Sequence, residues 1–182
     1  MISYHFKGII QHMAEKHNRV DLVIGRFNPL TIYHKELISA IGAKGMTIVA
    51  TTKTQDANNP LAPNIKRLYM HHAHLNVRGI VICKDAVDAI LSVKAYGADE
   101  VVIHCGDDRA DNYLRLNTYT EPDGVKIVDV VSAKRLHSTH SATYLRALAK
   151  DGREQEFMDL CGYRGQCKQF AYRLIRQYYG CI

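Results

Sequence analysis

The chain has 182 residues, enough for one domain with a real core, and 47% of them are hydrophobic, an ordinary share for a globular protein. Lys and Arg number 24 against 18 Asp and Glu, a formal charge of +6, which suits a polyanionic partner, either a nucleoside triphosphate or nucleic acid. The excess is scattered rather than blocked, and no apolar run approaches bilayer length, so a membrane protein is excluded and a phosphate-rich small molecule ranks at least level with nucleic acid.

Residues 4–17 carry Phe6, Ile9, Ile10 and Met13 at helical spacing, which predicts an amphipathic leading helix. Residues 1–19 mix Lys, His and Glu without the order of a signal peptide, so a cytoplasmic protein is expected. Continuous apolar runs at 20–25, 46–51, 80–83, 101–105 and 125–131 predict strands buried on both faces. Helical patterns at 33–41, 64–75, 85–96 and 111–116 fall between them. That alternation predicts an α/β, Rossmann-like, doubly wound parallel sheet, which binds ligands at the carboxyl ends of its strands. A polar loop then leads to a helix at 142–150, stopped by Asp151-Gly152. Further helices at 154–161 and 166–179 make a C-terminal helical extension. A single domain is expected, divided into the leading helix (1–19), the core (20–151) and the C-terminal helices (152–182).

The last helix is basic and aromatic. Phe170, Leu174 and Tyr178 form one stripe, which predicts core packing or a subunit contact, the latter making a homo-oligomer; stacking on nucleic acid ranks below both. The five cysteines contain no C-x-x-C pair. They read as reduced thiols, with Cys83 and Cys105 inside apolar runs. His71, His72 and His74 do not converge on one helix face, so no metal site is expected there.

The most informative stretch is Gly25-Arg26-Phe27-Asn28-Pro29-Leu30-Thr31-Ile32-Tyr33-His34, between the first strand and the first core helix. Gly25 permits a sharp exit and close backbone approach, and Thr31 is typed as the helix N-cap. His34 then falls on the first turn, where unpaired N–H groups and the helix dipole favour phosphate. Ser141-Ala142-Thr143-Tyr144-Leu145-Arg146 opens the late helix in the same way. Taken singly, His34 also reads as a residue packed on the sheet, and Arg146 as a solvated cation beside a cap.

Together the two stretches resemble a known family. Gly25, Phe27, Pro29, Thr31 and His34 fit the G-x-F-x-P-x-[HT]-x-G-H signature of the nucleotidylyltransferase superfamily of α/β phosphodiesterases. Tyr33 stands at that signature's Gly, and eukaryotic nicotinamide-mononucleotide adenylyltransferases look similar, with Gly-Ser-Phe-Asn-Pro-Ile-Thr-Asn-Met-His. The Gly25-Arg26-Phe27 start looks like archaeal members, in which the Arg contacts phosphate. Ser141, Thr143 and Arg146 resemble the second signature, I-S-x-T-x-[IVL]-R, with His140 at its Ile. Gly106-Asp107-Asp108 resembles the segment that touches ribose and base, the family's Asp falling best on Asp108. The 52–66 loop, with Asn59-Pro60-Leu61, resembles the archaeal N-P-F-T-x-x-E-R stretch, Lys66 standing at its Arg; phage nucleotidyltransferase-like proteins also look similar there.

The resemblance implies transfer of a nucleotidyl group, foremost adenylyl, from an NTP to a small phosphorylated acceptor, with release of pyrophosphate. ATP is the expected NTP, Mg²⁺ its companion, and nicotinamide mononucleotide the first acceptor to test. It implies that His34, Thr31 and Arg146 act in catalysis. Nucleotide binding falls to Gly25, Arg26, Phe27, Asn28, Gly106, Asp107, Asp108, Ser141, Thr143 and Lys66, with Lys53 a further phosphate contact in the acceptor loop. Cytidylyltransferase and pantetheine-phosphate adenylyltransferase activities share both signatures. A nucleotide- or RNA-binding protein that kept the fold without catalysis is the alternative of another class.

Overall fold

The computed structural model describes residues 18–106, 109–133 and 141–181. The expected leading helix lies outside them. Five strands, β1 (Arg19–Gly25), β2 (Thr47–Thr52), β3 (Gly79–Cys83), β4 (Glu100–Gly106) and β5 (Lys126–Ala133), form one sheet in the order β3-β2-β1-β4-β5. Every pairing is parallel. The order reverses between β1 and β4, so the crevice for a ligand opens above Gly25 and Gly106, the carboxyl ends of those two strands.

Strand alternation divides the core into two layers. Val20, Leu22 and Ile24 of β1 point into one, with Val101 and Ile103 of β4. The helix α3 (Ala86–Leu91), a 3₁₀ turn (Ser92–Tyr96), α4 (Ala110–Leu114) and α5 (Asn117–Thr120) follow on that side, where Ala89, Ile90, Val93 and Tyr113 are buried. Val23 and Val49 face the other layer, built from α1 (Ile32–Gly42), α2 (Pro63–His72), α6 (Ala142–Lys150), α7 (Glu154–Leu160) and α8 (Gln166–Tyr178). Crossovers of this hand let each helix bury its apolar stripe on the sheet.

Several expectations are corrected. β5 is an edge strand rather than one buried on both faces: Val131 is 42% exposed, and the register shifts opposite Val101 and Val102. The helix expected over 85–96 breaks after Leu91 into the 3₁₀ turn, which Gly97 ends at φ 77°. α5 lies in a stretch to which no element was assigned, and its Asn117 side chain accepts the Ile127 N–H at 2.7 Å, stitching it to β5. The expected stripe of α8 also does not enter the core: Phe170, Leu174 and Tyr178 are exposed. The buried face is Ala171, Tyr172 and Ile175, one position further round, with Tyr172 against Phe157 at 5.4 Å between ring centroids.

All five cysteines are free thiols. Burial pushes Cys83 up to about 11 and Cys161 up to about 12, so neither is a ready nucleophile near neutral pH.

Candidate active site

At the end of β1 the absence of a side chain is used. A Cβ on Gly25 would lie 2.6 Å from the Phe27 ring. That ring fills the space and meets the His34 imidazole edge-on, with centroids 5.3 Å apart. Phe27 itself holds φ 45°, a left-handed conformation that costs a side-chain-bearing residue about 1–3 kcal/mol. Thr31 caps α1 as expected and is fully buried. The His34 N–H donates to Thr31 Oγ1 at 3.2 Å, while the Thr31 N–H donates to His34 Nδ1 at 3.2 Å. This is a capping box with imidazole in the place usually held by Glu or Gln. Because Nδ1 accepts, a neutral His34 carries its proton on Nε2, which makes that edge a donor. Gly25→Ala must displace the Phe27 ring and so lose the wall that orients His34. The expected result is a loss of about 1–3 kcal/mol in stability, the usual cost of overpacking, and a fall in kcat larger than any change in KM. Melting curves and steady-state kinetics check it.

The turn is bolted to the loop that follows β2. Asn28 is fully buried; its amide donates to the Leu61 carbonyl and its oxygen accepts the Leu61 N–H, both at 3.0 Å. The side chain expected to bind nucleotide thus holds the turn against the 52–66 loop. Lys66, expected as a phosphate contact, is likewise placed beneath the turn: it is wholly inaccessible. Its ammonium donates to the Arg26 carbonyl at 3.1 Å and the Thr52 carbonyl at 2.6 Å, and Thr51 Oγ1 also donates to Arg26 O. Arg26 itself is exposed.

Burial lowers Lys66 from 10.5 to about 8. Its folded form therefore binds fewer protons than the unfolded chain between those values, and stability rises with pH across that window through this group. Lys66→Met removes that rise and takes the ammonium from the Thr52 carbonyl, while Arg26 O keeps Thr51 Oγ1, at a cost of about 1–3 kcal/mol. Denaturant titrations from pH 7 to 10.5 on both proteins measure the difference; parallel pH curves would contradict the assignment.

The second helix start meets the first. Ser141 caps α6, accepting the Tyr144 N–H at 3.1 Å. Arg146 donates from one terminal nitrogen to the Asn28 carbonyl at 2.7 Å, a contact spanning 118 residues, and from the other to Thr143 Oγ1 at 3.0 Å. Burial pulls the guanidinium down from its usual range, while Tyr179 pushes the other way. Arg26 also acts on Arg146 as a like charge. Gly106 ends β4 at the same edge; Asp107, Asp108 and the 134–140 segment lie outside the described residues.

The C-terminal helices contribute more than the sequence indicated. Cys161 bridges Thr31 as an isolated antiparallel pair, and the Gly162 N–H donates to the Leu30 carbonyl at 2.9 Å. A Cβ on Gly162 would lie 2.4 Å from the Thr31 carbonyl, so only glycine fits. The buried Tyr163 hydroxyl donates to Phe27 O at 3.4 Å. Tyr179 donates to Ala57 O at 2.7 Å, its ring beneath the Lys150 ammonium at 3.8 Å. Tyr179 thus joins α8, the 52–66 loop and Arg146. No local spacing signals these residues, because their roles exist only once the chain has closed on itself.

No family model matches the sequence, and no curated protein matches it. Solved structures do. The chain is similar to a protein described as a nicotinate-nucleotide adenylyltransferase from Vibrio parahaemolyticus, with 11% identity and a TM-score of 0.54, over 84% of this chain and 97% of that one. It is also similar to the NadR protein in complex with NAD and AMP-PNP, with 14% identity and a TM-score of 0.55 over 88% of this chain. It spans 46% of NadR. The chain shares with both the fold, a Rossmann-like parallel sheet flanked by helices. Among the described residues no helix is long and apolar enough to cross a membrane.

Proposed function

We propose that the protein is a nucleotidyltransferase. It passes the adenylyl group of ATP to a small phosphorylated acceptor and releases pyrophosphate, with a pyridine mononucleotide the first acceptor to test. The observation that carries this reading is the 2.7 Å bond from Arg146 to the Asn28 carbonyl. It joins two helix starts, distant in sequence, at the switch point of one parallel sheet, where phosphates are bound by N–H groups and cations. The structural neighbours agree in class, one being described as an adenylyltransferase and the other holding NAD and AMP-PNP.

In this reaction an acceptor phosphate oxygen attacks the α-phosphorus, a new P–O bond forms, and the bond to the β-phosphate oxygen breaks as pyrophosphate departs. No protein nucleophile is required; positioning and charge stabilisation supply the rate. His34 offers its Nε2 hydrogen to a phosphate oxygen. Arg146 retains N–H donors beyond the two already bonded and holds the leaving phosphates. Thr31, buried, sets the imidazole, and Thr143 sets the guanidinium. Mg²⁺ would come with the nucleotide substrate and neutralise its phosphates.

Pyrophosphate release measured with each of ATP, CTP, GTP and UTP tests the reading, against nicotinamide and nicotinate mononucleotides, phosphopantetheine and small phosphoalcohols. Turnover is expected with ATP and a mononucleotide. Turnover with CTP and a phosphoalcohol would move the substrate assignment, and silence across the panel would overturn the catalytic one.

A further inference from the structure

A second cationic feature lies away from the β1–β4 crevice. Ile32, Lys35, Glu36 and Ser39 make one face of α1, the spacing that places side chains along a single stripe. Opposite stand Arg164 and Gly165 of the α7–α8 turn and Lys168 of α8, enclosing a cleft of about 440 Å³. None of Gly25, Arg26, His34, Gly106 or Arg146 lines it.

We propose that this cleft is a separate anion site for a small polyphosphate, held by Lys35, Arg164 and Lys168. These three cations surround one concavity with a single carboxylate, that of Glu36, on its wall. Among the described residues neither Glu36 nor any other acid forms an ion pair with them, whereas Arg153 does pair with Glu156. Lys35 is held below its usual range by burial first and then by the like charges of Arg164 and Lys168, so the cluster repels itself when empty. Lys168 is fixed at the rim by donating to the Met158 carbonyl at 2.6 Å. α8, 13 residues long, opens at this rim; its Cys167 and Lys168 N–H groups are bonded to the Arg164 and Gly165 carbonyls, so the helix start adds its dipole to the cations. Gathered like charge costs stability and is relieved by an anion with several oxygens. The concave shape and size suit a compact ligand, where a nucleic acid would need an extended basic stripe.

The site is also wired to the catalytic turn. Gly162, in its wall, donates to the Leu30 carbonyl, and Cys161 pairs with Thr31. An occupant therefore bears on the backbone that carries the His34 cap.

Calorimetric titration of the full chain with sodium pyrophosphate tests the proposal. Two sites per chain are expected. Lys35→Ala/Arg164→Ala should weaken one of them at least about tenfold, the scale of a lost charge-assisted contact, with an unchanged or higher melting temperature. Arg164→Gln alone should give a smaller loss at the same site, and Arg67→Ala none. Arg146→Ala should affect only the other site, so failure here and failure of the proposed catalytic site remain distinguishable. A single site lost only with Arg146, or two sites indifferent to Lys35 and Arg164, overturns the proposal. So does binding of a single-stranded oligonucleotide more tightly than pyrophosphate through the same residues.

Discussion

His34→Ala is expected to lower kcat by roughly 10²–10³-fold, the loss seen when one donor to developing negative charge is removed. The imidazole has two separable duties. Nδ1 accepts the Thr31 N–H and completes the box that starts α1; Nε2 faces the transferred phosphoryl group in the proposed reaction. Alanine removes both. It leaves the Thr31 N–H without an acceptor in a buried turn, a stability cost of about 1–3 kcal/mol, and it removes the donor. His34→Gln separates the two, because a glutamine at this position reaches back to the cap as capping boxes ordinarily do. The glutamine variant should recover the melting temperature of the parent while keeping most of the loss in kcat. ATP affinity should change little in either, since the donor works mainly on charge that appears in the transition state. Near-normal turnover in His34→Ala, at saturating substrates, would remove His34 from the mechanism.

The parallel sheet, the two helix starts and their caps were legible because each depends on local chemistry. Apolar runs gave the strands, and Thr31 and Ser141 announced their caps through a side-chain oxygen placed ahead of each helix. Misreadings fell where the outcome depends on partners distant in the chain. β5 has the composition of a buried strand, but its position at the sheet edge leaves Val131 exposed. Lys66 has the composition of a phosphate ligand, yet two carbonyls claim its ammonium beneath the turn. Asn28 was expected to bind nucleotide, and its side chain instead locks Leu61. In α8, three apolar residues at one spacing pointed to the core or to a subunit contact; Tyr172 packing on Phe157 set the helix rotation so that they do not enter the core. Tyr163 and Tyr179 carried no signal at all, since a hydroxyl that reaches a carbonyl over 120 residues away is a property of the closed fold.

Arg146→Ala is expected to reduce kcat/KM for ATP by roughly 10²–10³-fold and to weaken product inhibition by pyrophosphate in parallel, because one guanidinium serves both. Half-buried, with Asn28 O and Thr143 Oγ1 fixing its plane, it is already oriented for the β- and γ-phosphates in the proposed reaction, where a reduced dielectric would strengthen each contact. Removing it also cuts a side-chain bond between α6 and the turn that carries His34, so part of the loss is positional. Arg146→Lys apportions the effect. Lysine keeps the charge but has no planar fork with which to hold the Asn28 carbonyl and a phosphate together, so an intermediate loss is expected, with KM for ATP rising less than kcat falls. Tyr179→Phe provides a gentler probe of the same scaffold. It breaks the 2.7 Å bond to Ala57 O and the phenol's support of Arg146, while leaving every phosphate donor in place. Should Arg146→Ala raise only the KM of the acceptor, with ATP and pyrophosphate affinities intact, then Arg146 holds the acceptor's phosphate and the leaving group is held elsewhere. The direction of in-line attack across the crevice would then be reversed.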